Sequence, residues 1–532
     1  MQLRERNLGK LSHTTYDVLI IGGGINGAVS AAALAGRGAK VALIDKGDFA
    51  GFTSQHSSNL IWGGIKYLET YDFRLVWKLC QSRNQLMKNY PSTVKEIRFF
   101  TTVPQDFRYP RLLLWLGAWL YWLMGKGFTQ LPRLLSRNDI KKEEDIINTE
   151  NSQGGFEYSD AYLHDNDARF VFNFIRSALN CGCIAANYVE SLGAQRGTDK
   201  VWRTQARDHM NGKEFEIKSK VLLNAAGPFV DQHNQLTGQK TPHQHVFSKG
   251  VHLIVDRLTP HQRVLAFFAS DGRLFFAIPM GVKTCIGTTD TPVKDPTTTV
   301  TAENRQFILD NINKLLTLKE PLKTEDIIAA RCGVRPLVVK TGTSGKRDWL
   351  ELSRKHEIDV NWESDHISIF GGKLTDCLNV GEEICELVQA LGVILPHPQY
   401  SWFGEPPEAI KKAFLHQAEL MDLDGYTPPN STEKLTCRLW RRYGSEAINL
   451  LEMIRTDPQQ AEVLIEGTEY LRCELQLAAR REMIVRLEDF LRRRSKIALI
   501  IRQQELKRSA GVREACETLF GQQAKEKFAE YF

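Results

Sequence analysis

The stretch from Tyr16 to Asp45, YDVLIIGGGINGAVSAAALAGRGAKVALID, limits what this chain can fold into more than any other part of it. The apolar run Val18 to Ile21 suits a buried parallel strand, and Gly22, Gly24 and Gly27 follow it directly as G-x-G-x-x-G. Gly22 permits a tight turn, Gly24 lets backbone amides approach a pyrophosphate, and Gly27 lets helix and strand pack closely. The Ala-rich segment Ala28 to Leu34 then reads as a helix whose positive N-terminal end faces the phosphates. Val41 to Ile44 forms a second strand, and Asp45 at its end is placed to accept hydrogen bonds from a ribose 2′-OH and to repel a 2′-phosphate. Strand, turn, helix, strand and terminal acid in register predict a dinucleotide site. The motif alone does not separate FAD from NAD.

Length and charge narrow the class. A chain of 532 residues holds two or three domains with ample buried core. A net charge of +6 is too slight to argue for nucleic acid, and it does not hinder approach to an anionic membrane. Ten cysteines occur without a C-x-x-C, which points to a reduced, intracellular chain with no metal site or disulfide framework. The segment MQLRERNLGKLSHTT has no apolar h-region, so no secretory signal is expected.

The loop after Asp45 is small and polar at Thr53, Ser54, Ser57 and Ser58, which suits hydroxyls and amides that wrap a polar ligand. The run GDFAGFTSQHSSNLIWGGIKYLE, together with the IGGGINGA turn, resembles FAD-dependent glycerol-3-phosphate dehydrogenases of the D-amino-acid-oxidase-like flavoprotein group. Further segments match in order: GFEYSDA from Gly155, NAAGPFVD from Asn224, FSKGVH from Phe247, IGTTDTP from Ile286, GVRPL from Gly333 and FGGKLT from Phe370.

This resemblance implies an α/β fold: a Rossmann-like FAD-binding domain interleaved with a mixed antiparallel-sheet substrate domain, plus a C-terminal α-helical domain. The expected FAD-binding parts are residues 14–75, 155–246 and 355–395. A helical insertion is expected at 76–154, the substrate sheet at 247–354, and the C-terminal helices at 396–532, after the Pro-rich break ILPHPQYSWFGEPPEA. The cofactor residues it implies are Gly22, Gly24, Asn26, Gly27, Asp45, Lys46, Thr53, Ser54, Ser57, Ser58, Gly63, Gly64, Ala226, Gly227, Gly371, Gly372, Lys373, Leu374 and Thr375.

By the same resemblance, Lys66, Tyr67, Arg335, Arg354 and Lys373 are carried to a site where a phosphate ester binds. Arginine forks suit phosphate oxygens and lysine adds a less directional charge. The implied reaction oxidises sn-glycerol 3-phosphate to dihydroxyacetone phosphate, with hydride passing to flavin N5, His252 as base, and Arg335 and Lys373 polarising the developing carbonyl. Electrons then pass to quinone at the cytoplasmic face of the inner membrane; homodimer formation is left open. An oxygen-using oxidase, an oxidase of another anionic substrate, and a flavin-binding protein without turnover are the alternatives.

Two stretches carry separate expectations. Leu112 to Met124 is almost wholly apolar, with Trp115, Trp119, Trp122 and Tyr121 suited to a membrane–water interface. Thirteen such residues rise about 20 Å as a helix, short of the roughly 30 Å hydrocarbon core. Sequence alone balances an in-plane anchor over segment 108–126 against a buried core helix, and the family resemblance tips it to the anchor. In the C-terminal part, Leu471 to Leu491 reads as one amphipathic helix, with Arg492, Arg493 and Arg494 as its exposed cationic end.

The chain departs from the family at the flavin edge. Asn59 stands where the family has a lysine, Trp62 where it has a histidine, and Lys66 where it has an arginine. After FGGKLT a threonine–tyrosine–arginine run is replaced by Asp376-Cys377-Leu378-Asn379.

Overall fold

The computed structural model describes residues 2–269, 271–342, 355–429 and 431–532. Two sheets dominate it. The first has eight strands, with the order Glu357–Asn361, His366–Phe370, Glu214–Asn224, Thr15–Ile21, Val41–Ile44, Ile184–Ala186; Val189–Arg196 and Trp202–Asp208 extend from Glu214–Asn224. The four central pairings, from His366–Phe370 to Ile184–Ala186, are parallel. Parallel strands covered on both faces need unbroken apolar runs. Val18 to Ile20 and Val41 to Ile44 are accordingly buried to within 1% of full burial.

One face of this sheet is covered by the helices Ile25–Gly36, Asp167–Asn180 and Cys377–Ala390, which share a core of Ala31, Leu34, Phe172, Ile175, Ile384 and their neighbours. Trp202, Ile217 and the helix Gln2–Leu11 close the other. The Pro-rich break is pinned rather than loose, since Trp402 is 3% exposed and lies where a Cβ on Gly381 would meet its ring at 2.5 Å.

The second sheet has ten strands in the order Thr291–Val293, His243–Asp256, Lys283–Gly287, Leu274–Met280, Arg263–Phe268, Val94–Pro104, Ser152–Leu163, Leu60–Ile61. Ala329–Lys340 pairs along His243–Asp256, and Arg133–Leu135 along Ser152–Leu163. Its ladders are antiparallel except for Arg263–Phe268 on Val94–Pro104. The α/β fold with a mixed second sheet and a helical C-terminal part therefore agrees with the sequence reading.

Four details differ. The segment 76–154, read as helical, contributes the eleven-residue strand Val94–Pro104, and Ser152–Leu163 joins the second sheet rather than the first. Most of Ser152–Leu163 is buried on both faces, so alternation does not betray it. The expected long helix from Leu471 is only Arg472–Arg481; the chain turns at Met483 with φ +50°, and a π-helical turn, Asp489–Arg494, follows. Arg492, Arg493 and Arg494 are buried at 6%, 3% and 2% exposure, not an exposed cationic end. Their partners lie some 440 residues away in sequence.

The Trp-rich helix, Arg111–Met124, is not core. Only Ala118 and Tyr121 are buried, while Leu112, Leu113, Leu116, Leu120 and Leu123 are 42–61% exposed. Among the described residues no helix is long and apolar enough to cross a membrane.

Candidate functional site

The glycine turn leaves no freedom for side chains. A Cβ on Gly27 would sit 1.8 Å from the Gly22 carbonyl oxygen, and one on Gly22, at φ +104°, would sit 2.5 Å from the oxygen of Ala225. The helix Ile25–Gly36 therefore starts hard against two strand ends. Its first turn has no side-chain N-cap at Gly24; the Ile25 amide donates to Ser54 Oγ at 3.0 Å. Amides left over in such a turn suit an anion.

Asp45 lies where expected, 7% exposed, accepting from the amides of Gly23 at 2.6 Å and Gly47 at 2.8 Å. Burial pushes its carboxyl up to about 6 against the pull of those amides. Each carboxylate oxygen keeps a further lone pair for a hydroxyl donor. Lys46 lies 3.1 Å over the ring centroid of Phe229, just past Ala226 and Gly227. Asn26 donates to the Gly371 carbonyl at 3.0 Å, which ties the first helix to the last βα turn, and its Oδ1 is buried without a partner among the described residues. Gly371 and Gly372 both have left-handed φ, +62° and +104°. Uncapped amides, a terminal acid with spare acceptors and two glycine cradles fit a dinucleotide diphosphate.

The polar loop divides its work. Ser54 meets the helix start, Thr53 donates to the Val334 carbonyl at 2.8 Å, and Ser57 is engaged by Asp167 through its amide at 2.9 Å and hydroxyl at 2.8 Å. Ser57 is thus turned toward the helix Asp167–Asn180 rather than the glycine turn; Ser58 is half-buried beside it.

The flavin-edge block meets the last βα unit. Thr375 donates to the Trp62 carbonyl at 3.3 Å, and the Lys373 ammonium lies 4.2 Å over the Tyr67 ring. Lys66 and Tyr67 stand on the short turn Ile65–Leu68, next to Gly63 and Gly64, and Leu374 opens the 3-10 turn after Lys373. Under this block lies a buried network absent from the sequence reading. The Gly63 amide, Tyr121 Oη and Arg83 all donate to Asp160, at 3.1, 2.7 and 3.1 Å. Burial raises the Asp160 carboxyl in spite of Arg83.

On the second sheet, His252 is paired across the ladder with Gly287 on one side and Arg331 on the other. It is 4% exposed, and its Nδ1 has no partner among the described residues. Burial, then the charges of Arg335 and Arg331, depress it to about 3, so it stays neutral. Arg335 lies over Gly250, where a Cβ would meet its guanidinium at 2.3 Å, and donates to Thr288 Oγ1 at 3.1 Å. Arg331 was missed by the sequence reading. Arg331 stands four residues before Arg335 on one strand, hence on the same face, and that spacing was a readable signal. Arg354 lies outside the described residues.

Asp376, at the start of the helix Cys377–Ala390, is 3.0 Å from His356 Nδ1 and 3.3 Å from Lys78, and accepts from Ser82 at 2.8 Å. Burial is outweighed by these partners, which hold its carboxyl down to about 2, while His356 is raised.

Comparison with known proteins points to the same cofactor. Residues 17–361 match the family model described as FAD dependent oxidoreductase, and residues 409–527 match the C-terminal domain of alpha-glycerophosphate oxidase. The aerobic glycerol-3-phosphate dehydrogenase of Escherichia coli is 31% identical over 503 residues, covering 91% of this chain and 94% of that protein. The Bacillus subtilis protein of the same name is 32% identical, covering 73% of this chain and 69% of its own length. The FAD-complexed glycerol-3-phosphate dehydrogenase of Bacillus halodurans superposes with a TM-score of 0.76 at 26% identity, over 99% of this chain and 96% of that one.

Proposed function

The chain belongs to the FAD-dependent oxidoreductase family, and from that premise we propose that it oxidises sn-glycerol 3-phosphate to dihydroxyacetone phosphate. One observation carries the reading: a buried, neutral His252 flanked by Arg331 and Arg335. A neutral imidazole inside a cationic wall suits a substrate that brings both an anion and a hydroxyl proton. That the E. coli, B. subtilis and B. halodurans relatives are glycerol-3-phosphate dehydrogenases supports the same substrate.

Bound FAD supplies the hydride-accepting chemistry that side chains lack. The glycine turn, Asp45, Asn26 and the Gly371–Gly372 turn would hold it, with Lys46, Thr53, Ser54, Gly63, Gly64, Ala226, Gly227, Leu374 and Thr375 around it. Lys66, Tyr67, Arg335 and Lys373 bind the phosphate and orient the alcohol, in the order that fork geometry and point charge suit. His252 takes the hydroxyl proton. Its depressed basicity in the free protein arises from burial and two cations, and a phosphate dianion offsets the cations, so substrate binding itself makes the imidazole a better base. Residues 247–354 supply His252 and Arg335 in this reading, and 396–532 form the C-terminal helical domain.

Quinone is the proposed electron acceptor, reached from an apolar surface that the Trp-rich helix offers to a membrane. Five exposed leucines on one helix, flanked by three tryptophans, support an in-plane anchor. The test is anaerobic mixing of the purified protein with glycerol 3-phosphate while following flavin absorbance. Rapid bleaching is expected, followed by reoxidation by a quinone analogue faster than by oxygen. A flavin that stays oxidised overturns the substrate; stoichiometric peroxide on aeration overturns the acceptor.

A further inference from the structure

Arg492, Arg493 and Arg494 reach out of the C-terminal domain into the loop that follows Asp45. Arg494 grips both oxygens of Asp48, at 2.8 Å each, and Arg493 Nε donates to Asp48 Oδ2 at 2.7 Å. Asn187 adds a fourth donor at 2.8 Å. Arg492 donates to the Gln55 carbonyl at 2.7 Å, and Asn166 fixes the triplet's own backbone by donating to the Arg492 and Ser495 carbonyls. All of these side chains are at least nine-tenths buried.

The loop so gripped is the one that shapes the cofactor cradle. The Ala50 amide donates to the Gly23 carbonyl at 3.0 Å, and Ser54 accepts from Ile25 at the first turn of the glycine-turn helix. Thr53 ties it to the strand Ala329–Lys340. A displacement at Asp48 or Gln55 therefore reaches Gly23, Ile25 and Val334 through bonds within a few residues.

We propose that the Arg492–Arg494 triplet is a latch by which the C-terminal domain sets the shape of loop 48–57 and so the affinity for FAD, with Asp48, Arg492, Arg493 and Arg494 as positioning residues. The arrangement is costly to build and severe to break. Two guanidinium groups and one carboxylate are desolvated together, and removing one partner leaves the others charged and buried. Burial alone would raise the Asp48 carboxyl, but Arg494 and Arg493 bring it below the ordinary carboxylate value. Arg493 is shared with Asp489, whose carboxylate also receives Tyr188 Oη at 2.7 Å and the amides of Val485 and Arg486. The triplet is thus braced on its own side as well as on the loop's.

The test uses no substrate, so it stands apart from the proposed reaction. Deflavinated full-length Asp48→Asn and Arg494→Lys proteins are titrated with FAD, and hydrogen exchange of the holoproteins is followed by mass spectrometry. FAD binding is expected to weaken by roughly tenfold or more, because Asp48→Asn leaves buried guanidinium groups without their counter-charge and Arg494→Lys loses the two-point grip on Asp48. Exchange is expected to rise across 48–57 while the helices Leu435–Tyr443 and Ala447–Thr456 keep their protection. Arg472→Ala, which loses only Glu462 and Glu514 within the C-terminal domain, is expected to bind FAD as the parent does. Should Asp48→Asn fail to fold, Arg492→Lys decides, since it keeps the charge and alters only the bond to Gln55. A folded latch variant whose FAD affinity stays within twofold of the parent, or whose extra exchange is spread evenly over the C-terminal domain, overturns the proposal.

Discussion

Replacing Leu116 and Leu120 together by glutamate separates a membrane-facing helix from one that merely lacks a cover. The two side chains are 51% and 42% exposed, four residues apart on the same face of Arg111–Met124. Fully burying a leucine is worth about 1.5–3 kcal/mol, so the exposed half of each offers about 1 kcal/mol to an acyl phase. Losing both removes about 2 kcal/mol, a factor of roughly 30 in partition at about 1.4 kcal/mol per tenfold. Seating two carboxylates at that depth costs more, which makes 30-fold the lower bound. Stability is expected to change little, within about 0.5 kcal/mol per exposed site. The assay is co-sedimentation with phosphatidylglycerol–phosphatidylethanolamine vesicles, read beside a thermal unfolding curve. Flavin reduction by glycerol 3-phosphate is expected to persist while quinone reduction in vesicles falls. Partition within threefold of the parent refutes the anchor. A large drop in unfolding temperature refutes the premise that these leucines face solvent.

Three further outcomes follow from named groups. Gly27→Ala puts a Cβ 1.8 Å from the Gly22 oxygen, so helix and strand must part; destabilisation at the upper end of about 1–3 kcal/mol with loss of bound FAD is expected, and a yellow protein of unchanged urea midpoint would contradict it. His252→Asn is expected to slow anaerobic flavin reduction roughly 10²–10⁴-fold with FAD affinity unchanged, and a loss under tenfold removes His252 as base. Because burial holds His252 near 3, no acidic limb from it is expected in kcat/KM between pH 5 and 8. Asp376→Asn is expected to flatten the pH dependence of stability. His356 is raised in the folded state, so its contribution is complete below the ordinary histidine value and is lost as pH rises through the folded value; that of Asp376 is complete above the ordinary carboxylate value and is lost as pH falls through about 2. Urea midpoints at pH 6 and pH 9 should show the parent's advantage shrinking at the higher pH, and an equal advantage at both would refute the pairing.

How much was legible follows the distance between partners. The glycine turn was readable because Gly27 and Asp45 act on Gly22, Gly23 and Gly47, all within some twenty residues, in a pattern that one βαβ unit completes. Fold class was readable for the same reason, since apolar runs and glycine turns are local. The strand Val94–Pro104 was not, because its partners Ser152–Leu163 and Arg263–Phe268 lie far along the chain and its burial pattern hides the period of two. The arginine triplet was misread because three cations after an amphipathic run look solvated until Asp48 and Gln55 are brought to them. The Asp160 network joins residues 63, 83, 121 and 160, which lie in four separate segments and were read there for other roles or not at all.

The departures at the flavin edge bear on whether the chain retains turnover, and three of them, Asn59, Trp62 and Asp376, have partners in the structure. Asn59 accepts from Arg331 at 2.8 Å, which brings a buried cation to that corner from the second sheet. Trp62 donates to Tyr158 Oη at 3.3 Å and packs against Tyr67, filling the space with a fixed ring instead of leaving a hole. Asp376 is enclosed by His356, Lys78, Ser82 and Asn379. Decay of an abandoned site leaves unpaired polar atoms and loose packing, since nothing selects the second residue once the first has changed. Here Asn59, Trp62 and Asp376 are each met by a complementary residue from a different element. Such pairing favours the proposed reading of a working oxidoreductase with an altered rim over a flavin-binding remnant.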